Sequence, residues 1–237
     1  ASLHGQQGVE IAVLGVTPEV VQLPWPKGAR LVAMDHSAEM IDKVWRPNAE
    51  IDSRVLHARW EEMPLPDHSI DVAAGDGSLN NLVALDDYAS VAAEVARVLK
   101  PGGAMVLRCF VRPDQYETID TIAADAWRGA IGGFHALKWR LAMLLTRADD
   151  ASVPVAGIRD LFDRTFPDRT ALAVATGWPQ AAIDTIDAYA GLATRYTFPT
   201  LAQFRSAVAP LLRVGDVRTA GYELADRCPT ICFERTP

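Results

Sequence analysis

The chain has 237 residues, of which 49% are hydrophobic, so it has room for one main domain with a smaller appendage. Its net charge of −7 includes no run of lysine and arginine, and the composition gives no support for a nucleic-acid partner. Three cysteines, no zinc-like Cys/His spacing and no signal-like start predict a cytoplasmic protein without a structural metal. No apolar run is long enough to span a membrane, so we expect no membrane partner.

The first half alternates short apolar runs with helix-like stretches, which is typical of βα units around a mostly parallel sheet. Strands are predicted at residues 9–15, 29–35, 53–58, 69–75 and 103–110. Before the last of these, apolar residues at helical spacing predict a helix that Asp86 or Asp87 caps and that a Lys-Pro-Gly run at 100–102 ends. Strands this apolar are usually covered on both faces, so we expect three layers.

The turn after the first strand reads LGVTPEVV and holds a single glycine, Gly15. Thr17 is a good N-cap residue and Pro18 suits the first helical position, so a short helix is predicted to begin here. Two further prolines end this helix within about two turns. Its amino end is expected at the carboxyl edge of the sheet, where open α/β folds bind their ligands.

Asp35 ends the second predicted strand, at the spacing from Gly15 where dinucleotide folds carry the acid that binds ribose hydroxyls. A carboxylate can accept hydrogen bonds from both hydroxyls of one ribose. The alternative is that Asp35 caps a helix that starts near Ser37. Position alone leaves the two roles open.

Three stretches carry a resemblance to a known family: LVAMDHSAEMID, ARWEEMPLPDHSIDVAAGDGSLNNL and EVARVLKPGGAMVLRCF. In order and spacing they resemble the segments around strands two to five of class I S-adenosylmethionine-dependent methyltransferases, of the type 11 or type 25 kind. The resemblance covers about residues 9–111 and implies S-adenosylmethionine as the cofactor. Where the family usually carries several glycines after strand one, this chain has LGVTPE, a degenerate glycine loop.

The resemblance also implies contacts with the methionine and ribose parts of the cofactor. Beside the methionine part would lie the backbone of Gly15, Val16 and Thr17. Asp35 would accept from the ribose hydroxyls. After strand four, Asp76 would accept from the ammonium group and Gly77 would permit a close approach. The alternative for this GDGSLN segment is an ordinary Gly-Asp-Gly turn.

Around the adenine, the resemblance implies contacts with His36, Met40, Trp60 and Glu61. A thioether or a ring against a base is a physically reasonable stacking contact. Arg59 stands where the family often has an acid that accepts from the adenine amino group, and an arginine has no acceptor. Glu61 or a backbone carbonyl is the expected substitute.

The second half departs from the simple βα alternation. Residues 112–213 are predicted to be a helical insertion, whereas 214–237 supply the closing strands of the sheet that 1–111 begins. Helical stretches are predicted at 113–147, 155–166 and 179–192, and residues 194–204 read as a loop leading to a helix that Thr200 caps.

The insertion is predicted to be a lid over an acceptor pocket, with His135 and Trp139 as candidate substrate-binding residues. The alternative is that the apolar stripe around Trp139 is a core face of its helix. No catalytic residue is assigned, because methyl transfer mainly requires the acceptor to be positioned in line with the methyl group.

Together these features predict an α/β fold with a three-layer, Rossmann-like sheet of about seven mostly parallel strands. The predicted function is methyl transfer from S-adenosylmethionine to a small-molecule acceptor, with the oligomeric state left open. One alternative is a catalytically silent binding or scaffolding protein of the same fold. A less favoured one is a nicotinamide oxidoreductase, suggested by the spacing of Gly15 and Asp35.

Overall fold

A computed structural model describes residues 8–147, 150–209 and 211–236, and its centre is a seven-stranded sheet. The strands, in chain order, are β1 (Glu10–Leu14), β2 (Arg30–Asp35), β3 (Asp52–His57), β4 (Ile70–Asp76), β5 (Leu99–Arg108), β6 (Ser152–Pro154), β7 (Arg195–Thr197), β8 (Leu212–Arg218) and β9 (Thr230–Arg235). The sheet order is β3-β2-β1-β4-β5-β9-β8. The first five of these strands run parallel, and β9 is antiparallel to both its neighbours.

Helices cover both faces of this sheet. In chain order they are α1 (Pro18–Val21), α2 (Ala38–Val44), α3 (Leu85–Val98), α4 (Ile119–Trp127), α5 (Phe134–Leu144), α6 (Val155–Thr165), α7 (Arg169–Thr176), α8 (Gln180–Asp184) and α9 (Leu201–Val208). Side chains of α1 and α2 pack on one face of the sheet, and those of α3 and α9 pack on the other. The predicted three-layer, mostly parallel Rossmann-like fold is therefore confirmed.

Successive residues of β1 show why these strands are apolar throughout. Ile11 and Val13 belong to the core under α1 and α2, whereas Ala12 and Leu14 belong to the core under α3 and α9. Because neighbouring side chains point to opposite faces, a strand covered on both sides has no position for a polar residue.

Both ends of α3 differ from the prediction. The helix begins at Leu85, so Asp86 and Asp87 lie inside its first turn, and Asp87 accepts from the backbone N–H of Ala84 at 3.0 Å. It ends at Val98, and β5 begins at the next residue, so the Lys-Pro-Gly run lies in the strand. Between these ends Val91, Val95 and Val98 are fully buried, as their helical spacing predicts, and Tyr88 is buried with them.

The segment after β5 forms a helical cluster with a core of its own, which includes Phe134, Phe162 and Phe198. Within it, β6 and β7 form a two-stranded antiparallel ribbon that was not predicted, and neither was α7. Thr200 caps α9 as predicted, accepting from the N–H of Gln203 at 3.1 Å. The side chains of α9 pack into the core of the sheet. Among the described residues, none of the helices has the length and apolar character needed to cross a bilayer.

Candidate functional site

A cleft of about 280 Å³ opens at the carboxyl ends of β1, β2 and β4. We call it the strand-end cleft, and it is lined by Leu14, Gly15, Val16, Thr17, Pro18, Asp35, Met40, Val44, Trp60, Asp76, Ser78 and Asn81. Of the predicted cofactor residues, the structure thus brings together Gly15, Val16, Thr17, Asp35, Met40, Trp60 and Asp76. His36, Glu61 and Gly77 are not among its lining residues.

Position 15 favours glycine because of its backbone conformation, although there is space for a side chain. Its φ is +103°, and a Cβ built there would have its nearest neighbours at 3.9 Å. The N–H of Gly15 donates to the carbonyl of Met34 at 2.8 Å, which joins the end of β1 to β2. A single glycine is therefore enough to turn the chain sharply out of β1 and leave the backbone of the following residues at the cleft.

Trp60 forms part of the cleft wall. Its side chain is buried, and its indole N–H donates to the carbonyl oxygen of Met34 at 2.7 Å. Because the indole has no other polar hydrogen, Trp60 presents only its apolar surface to the cleft.

Asp35 has one oxygen bonded within the chain and one without a partner. Its Oδ1 accepts from the backbone N–H of Ser37 at 2.8 Å, and no described residue bonds to Oδ2. The cap of α2 is Ser37, whose hydroxyl accepts from the N–H of Met40 at 3.2 Å. Ser37 is therefore the N-cap of α2, while Asp35 Oδ1 holds the turn that precedes it, and the carboxylate of Asp35 lines the cleft with Oδ2 free of described partners.

Thr17 occupies the N-cap position of α1, as predicted, but its hydroxyl makes no capping hydrogen bond. The four-residue helix is held instead by the carbonyl of Thr17, which accepts from the N–H groups of Val20 and Val21 at 3.1 Å. The Thr17 hydroxyl is thus not used by the helix it precedes.

Replacing Thr17 with alanine should change the free energy of unfolding by less than about 0.5 kcal/mol, because no capping bond is lost. The matched control is Thr200→Ala, which removes a cap that is formed and should cost about 1 kcal/mol. Chemical denaturation of both variants measures the difference. Equal losses would mean that the Thr17 hydroxyl stabilises α1 after all.

Asp76 is held by an arginine from the neighbouring strand. Arg108 Nε donates to Oδ1 at 2.5 Å and Arg108 Nη2 donates to Oδ2 at 2.6 Å, a bidentate pair across the ends of β4 and β5. The hydrogen bonds to Asp76 are the main reason that the pKa of Arg108 is raised. The pair was not predicted from the sequence, and an ammonium group at Asp76 would have to share a carboxylate that already binds a cation.

The GDGSLNN segment after β4 joins three parts of the chain, so it is more than an ordinary turn. The φ of Gly77 is +62°, and a Cβ there would lie 2.8 Å from Phe110. Ser78 donates to the carbonyl of Leu14 at 2.6 Å. The side-chain amide of Asn80 donates to the carbonyls of Phe110 and Thr197, at 2.7 and 2.6 Å.

The other predicted adenine contacts lie in more exposed surroundings. The side chain of His36 is 65% exposed, and that of Glu61 accepts from Arg59 at 3.0 Å. Met40 is 44% exposed, and it lines the strand-end cleft. Val44, one helical turn after Met40, extends this apolar wall, and periodicity on α2 was the signal for it.

In the helical cluster, Trp139 reaches the region next to this site and His135 is exposed. The ring of Trp139 lies 5.0 Å from that of Phe110, which in turn packs against Gly77. Burial and the charge of Lys138 lower the pKa of His135. Both residues remain predictions as acceptor contacts, and Trp139 also packs in the core of the cluster.

A larger groove of about 380 Å³ lies over β4, β5 and β9, on the sheet face that α1 covers only in part. Its floor is apolar and includes Ala74, Ala104 and Val106, and its polar groups, Asp76 and Arg108 among them, lie at its ends. A nucleoside needs hydrogen-bonding groups at its sugar and its base. The strand-end cleft, with the free oxygen of Asp35, is therefore the better candidate site.

Comparison with known proteins agrees with this location. The sequence profile of the family described as "Methyltransferase domain" matches residues 14–107, a range that contains every residue lining the strand-end cleft. A 37.1 kDa protein in transposon Tn4556 of Streptomyces fradiae is 36% identical over 87 residues. That match covers 35% of this chain and 23% of the relative, so the chain spans less than a quarter of that protein's length.

Solved structures share the fold across nearly the whole chain. A S-adenosylmethionine-dependent methyltransferase from Methanosarcina mazei matches at 13% identity with a TM-score of 0.51, covering 96% of this chain and 92% of that one. A structure from Rhodobacter sphaeroides, described as "Putative Zn-dependent Alcohol Dehydrogenases", matches at 14% identity with a TM-score of 0.58. The match covers 99% of this chain and 87% of that one. LepI in complex with S-adenosylmethionine matches at 8% identity with a TM-score of 0.52, and the match covers 99% of this chain and 44% of that one.

At such identities these structures show the fold alone, and the profile match covers residues 14–107. The β3-β2-β1-β4-β5-β9-β8 sheet and the matched segment agree with the resemblance found in the sequence. Residues 14–107 therefore match a methyltransferase domain, in agreement with the resemblance of this segment to class I S-adenosylmethionine-dependent methyltransferases, and the chain as a whole shares the fold of the solved structures.

Proposed function

We propose that the protein binds S-adenosylmethionine in the strand-end cleft and transfers its methyl group to a small-molecule acceptor. The observation that supports this most is the free carboxylate oxygen of Asp35 at the carboxyl end of β2, inside a cleft with apolar walls. The residues fit the cofactor: an acceptor for ribose hydroxyls, apolar side chains for the adenine, and an open backbone after Gly15.

Each part of the cleft has a proposed role. Asp35 binds the ribose hydroxyls, Met40 and Trp60 flank the adenine, and the backbone from Gly15 to Thr17 lies beside the methionine part. Bound there, the cofactor would supply a methyl group on a positively charged sulfur, which is already a strong electrophile. An acceptor held in line with that methyl group would receive it, the cofactor would leave with a neutral sulfur, and any proton on the acceptor would be lost to water.

The helical cluster is proposed to shape the acceptor side of the site. The ring of Phe110 lies against Gly77, and the ring of Trp139 lies against Phe110, so aromatic side chains extend from the end of β4 into the helical cluster. An acceptor bound beside these rings would be shielded from water. A small molecule fits such a shielded position better than a polymer does. Separately, we propose that the protein acts in the cytoplasm. We assign no general base.

A transfer assay tests this function. The protein would be incubated with S-adenosylmethionine carrying a tritiated methyl group and with a panel of small phenols, amines and carboxylic acids. We expect label in at least one acceptor, and roughly 10- to 150-fold less label with Asp35→Ala at a cofactor concentration below the wild-type dissociation constant. Tight cofactor binding without transfer to any member of a broad panel would favour the catalytically silent alternative, and stabilisation by reduced nicotinamide cofactor would favour an oxidoreductase.

A further inference from the structure

Lys138, on α5, is a buried cation that has no polar partner among the residues the structure describes. It is 9% exposed, and its Nζ lies 5.3 Å from the ring centroid of Trp139 and 5.0 Å from that of Tyr189. Within residues 8–147, 150–209 and 211–236, its ammonium makes neither a hydrogen bond nor an ion pair. Burial lowers the pKa of this lysine.

This arrangement is unfavourable for folding. An ammonium group carries three donors, and a buried charge is costly unless it is paired. Cation–π contacts return only part of that cost. Arg140, two residues further along α5, shows the usual arrangement, because its guanidinium is paired with Glu117 and Asp125. Of these two buried cations on α5, Arg140 is neutralised, whereas Lys138 has no anion in the described part of the chain.

Lys138 lies beside the rings of Trp139, Tyr189 and Tyr196, which we call the aromatic wall, and contacts through Phe110 connect this wall to the strand-end cleft. The ring of Tyr196 is 6.1 Å from that of Trp139 and 6.3 Å from that of Tyr189. Trp139 packs on Phe110, which contacts Gly77, the residue after the cleft residue Asp76. A planar ring with a negative charge at one end matches both the wall and the cation.

We propose that Lys138 binds the carboxylate of an aromatic carboxylic acid whose ring packs against Trp139, Tyr189 and Tyr196, and that this acid is the methyl acceptor. The proposal rests on the proposed function, since it names the substrate class of the same site. The ligand's carboxylate completes the ion pair that the chain itself leaves open, and the aromatic wall orients its ring.

The test compares benzoate and cinnamate with their amides, benzamide and cinnamamide, by tryptophan fluorescence of the whole protein. We expect each acid to bind at least about tenfold more tightly than its amide, and the preference to disappear in Lys138→Met. Lys43→Met is the matched control, because Lys43 is 67% exposed and pairs with Glu39 on α2, and it should keep the preference. Equal binding of acids and amides, or a preference that survives in Lys138→Met, would overturn the proposal.

Thermal unfolding separates binding from a structural role. Removal of an unpaired buried charge should raise the melting temperature of Lys138→Met by about 2–4 °C, whereas a lysine that stabilises the cluster through its cation–π contacts would give a lower one. Calorimetry with S-adenosylmethionine, on wild type and variant, tests the proposed function separately. Acid binding through Lys138 without cofactor binding would refute the proposed function, and with it the acid's role as methyl acceptor, but would leave the carboxylate site at Lys138 standing. Cofactor binding without acid preference would refute this inference alone.

Discussion

Replacing Glu117 with glutamine should lower the free energy of unfolding by about 3 kcal/mol or more, because it removes the charge of a carboxylate that two largely buried arginines share. The Glu117 carboxylate, whose side chain is 18% exposed, accepts from Arg140 of α5 and from Arg227 of the β8–β9 connection. Arg140 also pairs with Asp125 at 2.6 Å. Without the Glu117 carboxylate, Arg227 has no ion-pair partner among these residues. The ion pair that joins the segment before α4 to the β8–β9 connection is then lost.

Urea denaturation measures this loss, and Glu223→Gln is the matched control. Glu223 also lies in the β8–β9 connection and accepts from the N–H of Gly132, but the contact is exposed and should cost less than about 1 kcal/mol. A loss for Glu117→Gln no larger than that for Glu223→Gln would contradict a stabilising role of the network.

The same network predicts a dependence of stability on pH. Burial alone would raise the pKa of Glu117, but hydrogen bonds from Arg227 and Arg140 outweigh it, so the pKa is lowered from its ordinary value of 4.5. A carboxyl whose pKa is lowered by folding contributes stability above its unfolded pKa and loses it as the pH falls through the folded value. Wild type should therefore lose stability below pH 4.5, and the loss should be smaller in Glu117→Gln.

Replacing Asp35 with alanine should weaken S-adenosylmethionine binding by about 1.5–3 kcal/mol, or roughly 10- to 150-fold, because hydrogen bonds to a charged group are worth that much. Asp35→Asn keeps a hydrogen-bond acceptor but loses the charge, and its affinity for the cofactor should lie between those of the wild type and Asp35→Ala. Calorimetric titration measures all three proteins.

Ser37→Ala is the control for this prediction. It removes the cap of α2 next to Asp35 and leaves the carboxylate in place, so it should cost about 1 kcal/mol of stability with little effect on affinity. An unchanged dissociation constant in Asp35→Ala would show that the carboxylate does not bind the ribose.

The cofactor half of the fold could be predicted because its signals are local. Each of β1 to β4 stands within a residue or two of its predicted place, β1, β2 and β4 as apolar runs, and the acid at the end of β2 marks the cleft. By contrast, β6 and β7 have three residues each and pair across a long separation in the chain. No periodicity can be read from so short a strand, so neither was predicted.

The electrostatic features of the site could not be predicted for a related reason. The pairing of Asp76 with Arg108 depends on the alignment of β4 with β5, and the bond from Asn80 to Thr197 spans 117 positions of the chain. Lys138 stands on a helix, where a charged residue indicates an exposed face, and only tertiary packing buries it. The sequence therefore located the cleft but not the charges around it.

The most direct measurement is an isothermal titration of the wild-type protein with S-adenosylmethionine and, separately, with S-adenosylhomocysteine. If the single glycine at position 15 and the carboxylate of Asp35 suffice to form the cofactor site, both ligands should bind with micromolar or tighter dissociation constants, about −8 kcal/mol. No heat with either ligand, together with an unchanged melting temperature, would contradict cofactor binding in the strand-end cleft.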